Sequence, residues 1–274
     1  MIAIDRWTVP YGSRELQVEN AVGFSASCRA GRAAWGWRSG MTMARRVEVV
    51  IAIDGPSGVG KSTVARRLAE RLGDGYVDSG ALYRAVGWAA RAAGIPLVAE
   101  PLAEWIPQVR LTLMFARHQS SLWYSEVWID GECMTPNLQG ENIGAAASAV
   151  ATVPAIRDVI TSLLRRVRGR EEEDVGGVVM EGRDIGTVVF PDATVKFFLD
   201  ASIETRGQRR FQDMQRMGQA VTLSSVIEAV AARDAQDRSR EMAPLVPASD
   251  AHVIDATDLT IADVVERMLS KTRL

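Results

Sequence analysis

Hydrophobic and polar positions change their spacing several times along the 274 residues of the chain. From Val47 the segment VEVVIAID is a run of mostly β-branched residues, which predicts a short buried strand. After a glycine-rich turn, apolar residues recur every three to four positions from about Lys61 to Leu72 and predict an amphipathic helix. A strand, a loop and a helix in this order open a parallel α/β unit.

Later segments depart from that alternation. Residues 109–117 and 122–130 are both typical of strands, and Asp130-Gly131 is a hairpin signal. Consecutive strands without a helix between them predict a small antiparallel sheet inserted into the α/β body. Helical spacing at about 203–217 and 223–238 predicts two further helices.

The first 43 residues show neither period. They hold three of the seven tryptophans and no lysine, with Gly, Ser and Arg scattered among them. We expect residues 1–43 to be a leader that is unstructured or not native, with Met41 or Met43 as an alternative start. A transit peptide and a functional extension are the two other interpretations.

Composition narrows the function classes. Lys and Arg together number 32 and Asp and Glu 34, so we expect neither a nucleic-acid partner nor an anionic membrane. No stretch approaches the roughly 20 apolar residues that span a bilayer. Two cysteines and two histidines are too few for a disulfide framework or for a metal centre rich in these residues. They favour a cytoplasmic protein, and we expect it to be a monomer.

The glycine-rich turn carries the strongest chemical signal. Residues 55–62, GPSGVGKS, satisfy the pattern G-x-x-x-x-G-K-[ST]. Glycines let successive backbone N–H groups converge on phosphate oxygens, Lys61 can reach the β- and γ-phosphates, and the Ser62 hydroxyl can ligate Mg²⁺. We therefore predict Mg²⁺ with ATP as the co-substrate and Ser62 as the metal ligand. The predicted ATP-binding residues are Gly55, Pro56, Ser57, Gly58, Val59, Gly60, Lys61, Ser62 and Thr63.

Other phosphate-loop proteins carry motifs that this sequence lacks. Its asparagines are Asn20, Asn137 and Asn142, and none is followed by lysine, so the Asn-Lys-x-Asp motif of GTPases is absent. The LSGGQ-like signature of ABC-type ATPases is absent as well. A small-molecule kinase or an unusual ATPase is left.

Arginines are placed as a second polyanion would require, since phosphoryl transfer needs cationic groups at both donor and acceptor. Ser79 and Arg84 follow a short strand-like segment, GYVD at residues 75–78. Arg183 and Asp184 follow the strand GVVM, and the carboxyl ends of parallel strands line the ligand crevice. A cluster of charged residues on a helix is ordinarily a solvated face. Beside a phosphate loop, two such clusters instead favour a lid that closes over ATP. Two clusters have helical spacing, Arg206 with Arg209 and Arg210, and Arg233 with Asp237 and Arg240.

This series of motifs resembles the bacterial-type cytidylate kinase family. The similarity runs from about Val47 to the C-terminus through IDGPSGVGKS, DSGALYR, EGRDIGTVVFPDA, the arginines at 206–210, RDAQDRSR and APLVPASDA. Adenylate kinases and shikimate kinases share the first motif but not the series. The resemblance implies transfer of the γ-phosphoryl group of ATP to CMP or dCMP, giving ADP and CDP or dCDP. One departure is Gly207 inside the predicted lid helix, where glycine costs about 1 kcal/mol relative to alanine.

The resemblance also implies an acceptor site. An acid such as Asp184 suits cytosine, because the base presents its N4 amino group as a donor. The implied cytosine contacts are Ser148, Arg157 and Asp184, the phosphate contacts are Ser79, Arg84, Arg183 and Arg240, and Arg233 and Asp237 lie near the sugar.

Catalysis is implied to rest on five cations. The resemblance places Lys61 at the ATP end of the site and Arg183 and Arg240 at the acceptor end. Arg206 and Arg210 are the lid residues expected at the phosphates. The roles of Arg206, Arg209 and Arg210 are not separable at this level.

The predicted architecture is a three-layer, phosphate-loop NTP-hydrolase type of α/β core with a parallel sheet, an inserted acceptor domain with antiparallel strands, and a helical lid. Two alternatives stay open for the function: another nucleoside monophosphate kinase, acting on UMP, AMP or dTMP, and a nucleotide-dependent binding switch. The predicted core comprises residues 47–77, 153–204 and 222–274, the acceptor domain 78–152 and the lid 205–221.

Overall fold

Strands and helices follow the predicted order in a computed structural model that describes residues 45–117, 122–138, 141–172 and 175–272. The predicted leader, residues 1–43, lies outside the described residues. The strands are β1 (Arg45–Arg46), β2 (Val49–Asp54), β3 (Gly75–Asp78), β4 (Leu111–Arg117), β5 (Trp123–Ile129), β6 (Glu132–Cys133), β7 (Glu171–Glu172), β8 (Gly177–Glu181), β9 (Val195–Asp200) and β10 (His252–Asp255). The helices are α1 (Lys61–Leu72), α2 (Ser79–Ala92), α3 (Ala99–Trp105), α4 (Glu141–Val150), α5 (Pro154–Arg165), α6 (Ile203–Arg216), α7 (Leu223–Arg238) and α8 (Ile261–Thr272).

Most of the strands form one sheet, in the order β10-β9-β2-β8-β3-β5-β4, and β6 pairs with β5 beside this path. Every neighbouring pair from β10 to β5 is parallel, and β4 is antiparallel to β5. β1 and β7 form a separate antiparallel ribbon. The phosphate loop follows β2, in the middle of the parallel strands, where ligand crevices of such sheets lie.

Helices cover both faces of this sheet. On β2, Val50 and Ala52 belong to one buried cluster, whereas Ile51 and Ile53 belong to another. The first cluster includes side chains of α2, α3, α4 and α5, and the second includes side chains of α1 and α8. Because successive side chains of a strand point to opposite faces, the alternation confirms the predicted three-layer α/β fold.

The antiparallel hairpin is attached differently from the expectation. It is not a sheet of its own, because β5 pairs in parallel with β3 through Trp123 opposite Gly75 and Tyr124 opposite Tyr76. The pairing satisfies the backbone groups that β3 would otherwise expose at the edge of the sheet. The hairpin therefore continues the core sheet.

α4 and α5 meet at a sharp bend, with the segments Ile143–Val150 and Pro154–Arg165 at 98° to each other. Pro154 opens α5, and Val153 before it is extended (φ −89°, ψ 116°), as a residue preceding proline prefers. Among the described residues no single helix combines the length and apolar character needed to cross a membrane. This bent pair meets that test only when both halves are counted together.

α6, which carries most of the predicted lid, lies directly against α7. A small cluster of Met214, Val226 and Val230 fills the space between them. At Gly207 a Cβ would lie 2.4 Å from Cγ1 of Ile227, far inside van der Waals contact. The glycine that weakens α6 as a helix therefore permits its close packing on α7.

Candidate active site

The phosphate loop joins β2 to α1 through backbone conformations that favour glycine. Gly58 and Gly60 have φ angles of 76° and 100°, in the left-handed region. Lys61 is the first residue of α1 and is only 6% exposed. Its Nζ donates a hydrogen bond of 2.8 Å to the carbonyl of Pro56, so the side chain folds back over the loop.

Lys61 lies in a dense field of charges. Burial lowers its pKa well below the ordinary lysine value, and the neighbouring Arg183 lowers it further. Glu181 and Asp54 oppose these effects by stabilising the ammonium form. The structure therefore brings Arg183 to the lysine of the phosphate loop, as the sequence predicts.

Acidic residues stand at the carboxyl ends of three neighbouring strands: Asp54 on β2, Asp78 on β3 and Glu181 on β8. Glu181 accepts a hydrogen bond of 2.6 Å from the Tyr76 hydroxyl and lies near the Ser62 side chain. Burial and the nearby Asp78 raise its pKa. The strand ends thus place carboxylates directly beside the phosphate loop.

This acidic edge fits a divalent cation held together with a nucleotide. A serine hydroxyl and carboxylate oxygens are the hard ligands that Mg²⁺ prefers, and Ser62 and the nearby Glu181 supply both types. Because proteins usually hold Mg²⁺ with one or two side chains together with substrate phosphates, these residues fit a cation that is bound with the nucleotide. Among the described residues no cluster of three or more His, Cys, Asp or Glu side chains is arranged to hold a metal ion.

A cluster of arginines lies beyond Lys61. Burial lowers the pKa of Arg233 to about 10, and Arg183, Arg84, Arg210 and Arg240 lower it in turn. The pKa of Arg240 is also lowered to about 10, by burial and then by Arg157 and Arg183. Mutual repulsion of this kind is typical of a site built for anions, because a bound anion offsets it.

Two nitrogens of this cluster have no partner among the described residues. The Nε atoms of Arg233 and Arg240 are buried and donate no hydrogen bond to any of them. An unsatisfied buried donor is costly, and phosphate oxygens are strong acceptors for guanidinium groups. Both arginines are among the predicted acceptor residues.

Asp237 organises the same cluster. Its carboxylate accepts a hydrogen bond of 2.9 Å from Nε of Arg183 and a second from Arg240, and the residue is 1% exposed. Both oxygens are thus engaged with arginines, whereas the sequence suggested a contact to sugar hydroxyls. The structure shows Asp237 as the residue that orients Arg183 and Arg240.

Ser79 and Arg84 lie on α2 at the edge of this cluster. The Ser79 hydroxyl donates 2.7 Å to the carbonyl of Glu181. Arg84 pairs with Asp78 at 2.6 Å, and that partner raises the pKa of the guanidinium against the effect of burial. Both residues stand close to Glu181, where the sequence places the acceptor phosphate.

A buried pair marks the other end of the cluster. Arg157 donates to the Asp184 carboxylate and, at 3.1 Å, to the carbonyl of Ala151. The guanidinium also lies over the ring of Tyr83, 5.7 Å from its centroid. Ser148, on α4, donates 3.2 Å to Gly144 of the same helix. The buried pair places a carboxylate acceptor beside guanidinium donors, and a heterocyclic base can form hydrogen bonds with both types of group.

The arginines at 206, 209 and 210 of α6 separate into two roles. Arg206 is buried and pairs with Asp234, and Arg209 donates to the carbonyls of Val59 and Ala256. Arg210 is near enough to Arg233 to lower its pKa. The environment of Arg206 differs from the predicted one: its hydrogen bonds go to protein atoms, because α6 begins against the phosphate loop.

Sequence reasoning missed Asp54, Glu181 and Asp234. Glu181 carried a signal, since an acid directly after four buried apolar residues lies at the carboxyl end of a parallel strand. Asp54 carried a similar one at the end of VVIAID. Asp234 carried none, because its partners are 28 and 177 positions away.

A phosphate loop and an adjoining arginine cluster at the carboxyl ends of a parallel sheet are the site of a phosphate-loop phosphotransferase. The chain belongs to the cytidylate kinase family, whose profile matches residues 51–274. The cytidylate kinase of Geobacter sulfurreducens is 46% identical over 234 residues, covering 85% of this chain and 96% of that protein. That of Pseudomonas syringae pv. tomato is 45% identical over 225 residues, covering 82% and 95%.

Among solved structures, a shikimate kinase from Bacteroides thetaiotaomicron superposes with a TM-score of 0.39 at 14% identity, over 82% of this chain and 99% of that chain. This likeness is too distant to bear on function.

Proposed function

We propose that the protein transfers the γ-phosphoryl group of ATP to CMP or dCMP, releasing ADP and CDP or dCDP. The observation that carries the proposal is a continuous line of interacting groups. Arg183 lies in the charge field of Lys61 and shares the Asp237 carboxylate with Arg240. Arg240 in turn lies near the buried Arg157–Asp184 pair. Membership of the cytidylate kinase family supports the same reaction.

At the donor end, the loop residues 55–63 bind the ATP phosphates through backbone N–H groups, and the N-terminal end of α1 adds positive potential. Lys61 stabilises the negative charge on the phosphoryl group during its transfer. Among the lid arginines, Arg210 is the one that faces the arginine cluster, so we assign the lid's phosphate contact to it.

Mg²⁺ neutralises charge on the β- and γ-phosphates when it is bound. Ser62 would hold it directly. Glu181, which lies near the Ser62 side chain, would accept hydrogen bonds from water on the metal.

At the acceptor end, Arg183, Arg233 and Arg240 hold the monophosphate, and Arg84 and Ser79 flank it. Asp237 fixes the two guanidinium groups that it bridges. Asp184 accepts from the cytosine amino group, with Arg157 and Ser148 beside it.

The chemistry needs no general base, because the attacking oxygen of the acceptor phosphate is already anionic. The side chains supply alignment of the two nucleotides, screening of their charges, and exclusion of water when α6 and α7 close over them. Each is a contribution of position and field rather than of proton transfer.

A coupled assay of ADP release tests the proposal across CMP, dCMP, UMP, AMP and dTMP. We expect the largest kcat/KM with CMP or dCMP. A larger value with UMP, AMP or dTMP would establish a different monophosphate kinase. Nucleotide binding without ADP release for any acceptor would indicate a binding switch.

We further propose that the protein is a cytoplasmic monomer that acts on free nucleotides without nucleic acid or membrane. The near-balanced charge and the scarcity of cysteine support this. Light scattering coupled to size-exclusion chromatography tests the monomer, with a dimer mass as the contrary outcome.

A further inference from the structure

The outer side of the phosphate loop is held by α6. Nη1 of Arg206 donates 3.1 Å to the carbonyl of Ser57, and Nη1 of Arg209 donates 3.2 Å to the carbonyl of Val59. The two arginines thus contact alternate peptide groups of the loop.

These contacts control the direction of other groups. A trans peptide is planar, so its C=O and the N–H of the next residue point in opposite directions. The described peptide bonds are all trans. Holding the Ser57 carbonyl therefore aims the N–H of Gly58 away from α6, and holding the Val59 carbonyl does the same for Gly60.

Arg206 is itself fixed by Asp234 of α7. The Asp234 carboxylate accepts from the Arg206 guanidinium and from the backbone N–H of Ser57, the latter at 3.2 Å. Ser57, Arg206 and Asp234 therefore form a closed ring of hydrogen bonds. Both charged residues are only 4% exposed, and Nε of Arg206 is satisfied by the carbonyl of Ala201 at 2.9 Å.

The loop has a physical need for such a brace. Glycine readily adopts several backbone conformations, so the peptide groups on either side of Gly58 and Gly60 rotate at little cost unless something outside the loop holds them. The carbonyl of Arg206 also lies 2.9 Å from where a Cβ on Gly58 would stand, so α6 begins in direct contact with the loop.

We propose that Arg206 and Arg209 are positioning residues, which act on ATP by orienting the peptide groups of the phosphate loop, and that Asp234 fixes Arg206 for this purpose. The proposal rests on the binding of ATP by the loop. It replaces the direct phosphate contact that the sequence suggested for Arg206.

ADP and ATP distinguish the two roles. Backbone N–H groups of a phosphate loop cradle mainly the α- and β-phosphates, which both nucleotides possess. A misaimed loop therefore weakens ADP and ATP by the same factor. A side chain that touches the γ-phosphoryl group affects ATP and leaves ADP almost unchanged.

The experiment measures the Kd of Mg·ADP and of Mg·ATP by calorimetry in the absence of an acceptor. The variants are Arg209→Met, Asp234→Asn and the double variant Arg206→Met/Asp234→Asn, which removes both buried charges together and so avoids stranding one of them. Arg210→Met is the contrasting lid variant. Val230→Ala is the matched control, because Val230 lies on α7 one turn before Asp234 and packs between α6 and α7.

We expect Arg209→Met, Asp234→Asn and the double variant each to raise both Kd values about tenfold, the size of one or two charged hydrogen bonds. In these variants the Kd for ATP divided by the Kd for ADP stays within about twofold of the wild-type value, whereas Arg210→Met raises this ratio. The double variant binds both nucleotides about as weakly as Asp234→Asn alone, because Arg206 and Asp234 act through the same residue, Ser57.

Two outcomes would overturn the proposal. A loss confined to ATP in the Arg209 and Asp234 variants would indicate direct contact with the γ-phosphoryl group. A lowered Tm with unchanged Kd values, as expected of Val230→Ala, would indicate a purely structural pair. The measurement uses no acceptor, so neither result bears on which monophosphate the enzyme phosphorylates.

Discussion

Asp54 and Gly186 are joined by a hydrogen bond of 2.7 Å, from the backbone N–H of Gly186 to the Asp54 carboxylate. The same carboxylate accepts from the N–H of Ile185 at 2.9 Å. Asp54 ends β2 directly before the phosphate loop, and Gly186 follows Asp184 by two positions. One buried carboxylate therefore joins the phosphate loop to the turn that carries Asp184, the residue that we propose binds the base.

Stability should report the protonation of Asp54. Burial raises its pKa from 3.8 to about 6, so the folded protein binds this proton more tightly than the unfolded chain. The stability that this proton contributes is fully present below the pKa of Asp54 in the unfolded chain. It is lost as pH rises through the pKa of Asp54 in the folded protein. We expect the wild-type protein, measured against Asp54→Asn, to lose at most about 3 kcal/mol between pH 4 and pH 6 and to change little above.

Urea unfolding of both proteins across this pH range measures the difference. Asp74→Asn is a useful comparison, since burial raises the pKa of Asp74 to about 6 as well. Its stability difference should follow the same trend while turnover is unaffected, because Asp74 lies outside the site. A difference for Asp54→Asn that does not vary with pH would contradict the expectation.

Lys61→Met should separate stability from turnover. Burial lowers the pKa of Lys61, which means that its charge opposes folding at neutral pH. We expect the variant to be at least as stable as the wild-type protein and to lose turnover by about 10³-fold or more, since it lacks the cation at the transferring group.

Lys196→Met is the matched control, because Lys196 is equally buried at 6% exposure. Its ammonium pairs with Asp250 at 2.8 Å and donates to the carbonyl of Pro191. This variant should be less stable by about 1 to 3 kcal/mol and retain its kcat. Normal turnover in Lys61→Met would remove that lysine from the mechanism.

Asp184→Asn tests base recognition. An amide can donate where the carboxylate can only accept, and uracil presents an acceptor where cytosine presents its amino group. We expect kcat/KM for UMP, divided by kcat/KM for CMP, to rise by about tenfold or more, because the variant loses a hydrogen bond to cytosine and gains one to uracil. The KM for ATP should be nearly unchanged. If Asp184 served only to hold Arg157, UMP and CMP would lose activity by the same factor, and steady-state kinetics with both acceptors distinguishes these results.

Gly207→Ala should push α6 and α7 apart. The new Cβ would lie 2.4 Å from Cγ1 of Ile227, and overpacking of this size costs about 1 to 3 kcal/mol. We expect a lower Tm although alanine is the better helix former. Ile227→Ala in the same background removes the clashing atom and should recover part of the loss. An increased Tm for Gly207→Ala alone would show that the helices can move apart freely.

Local features of the fold were predictable because they depend on residues that are close together in the sequence. The spacing of apolar residues places α1 at Lys61–Leu72 and α7 at Leu223–Arg238, as observed. The attachment of β5 to β3 was not predictable, since it pairs Gly75 with Trp123 across a long stretch of chain. Hairpin signals describe how two strands join each other and not which edge they extend.

The candidate site divides in the same way. A loop motif and residues placed after strands identify Lys61 and Arg183, because parallel strands end at a common edge. Arg206 shows the limit: on a helical wheel it resembles a solvated charge, and only the distant Asp234 makes it a buried one. Charges in a helix cannot be assigned to solvent or to a partner until the opposing helix is known.

α7 serves both ends of the reaction from a short stretch of chain. Arg233 reaches towards the acceptor cluster, Asp234 binds the phosphate loop, and Asp237 holds Arg183. Each additional residue in an α-helix turns everything after it by about 100°. Between positions 233 and 237 this chain should consequently accept exchanges of side chain far more readily than any insertion or deletion, since a change of length would swing one substrate's contacts away while leaving the other's in place.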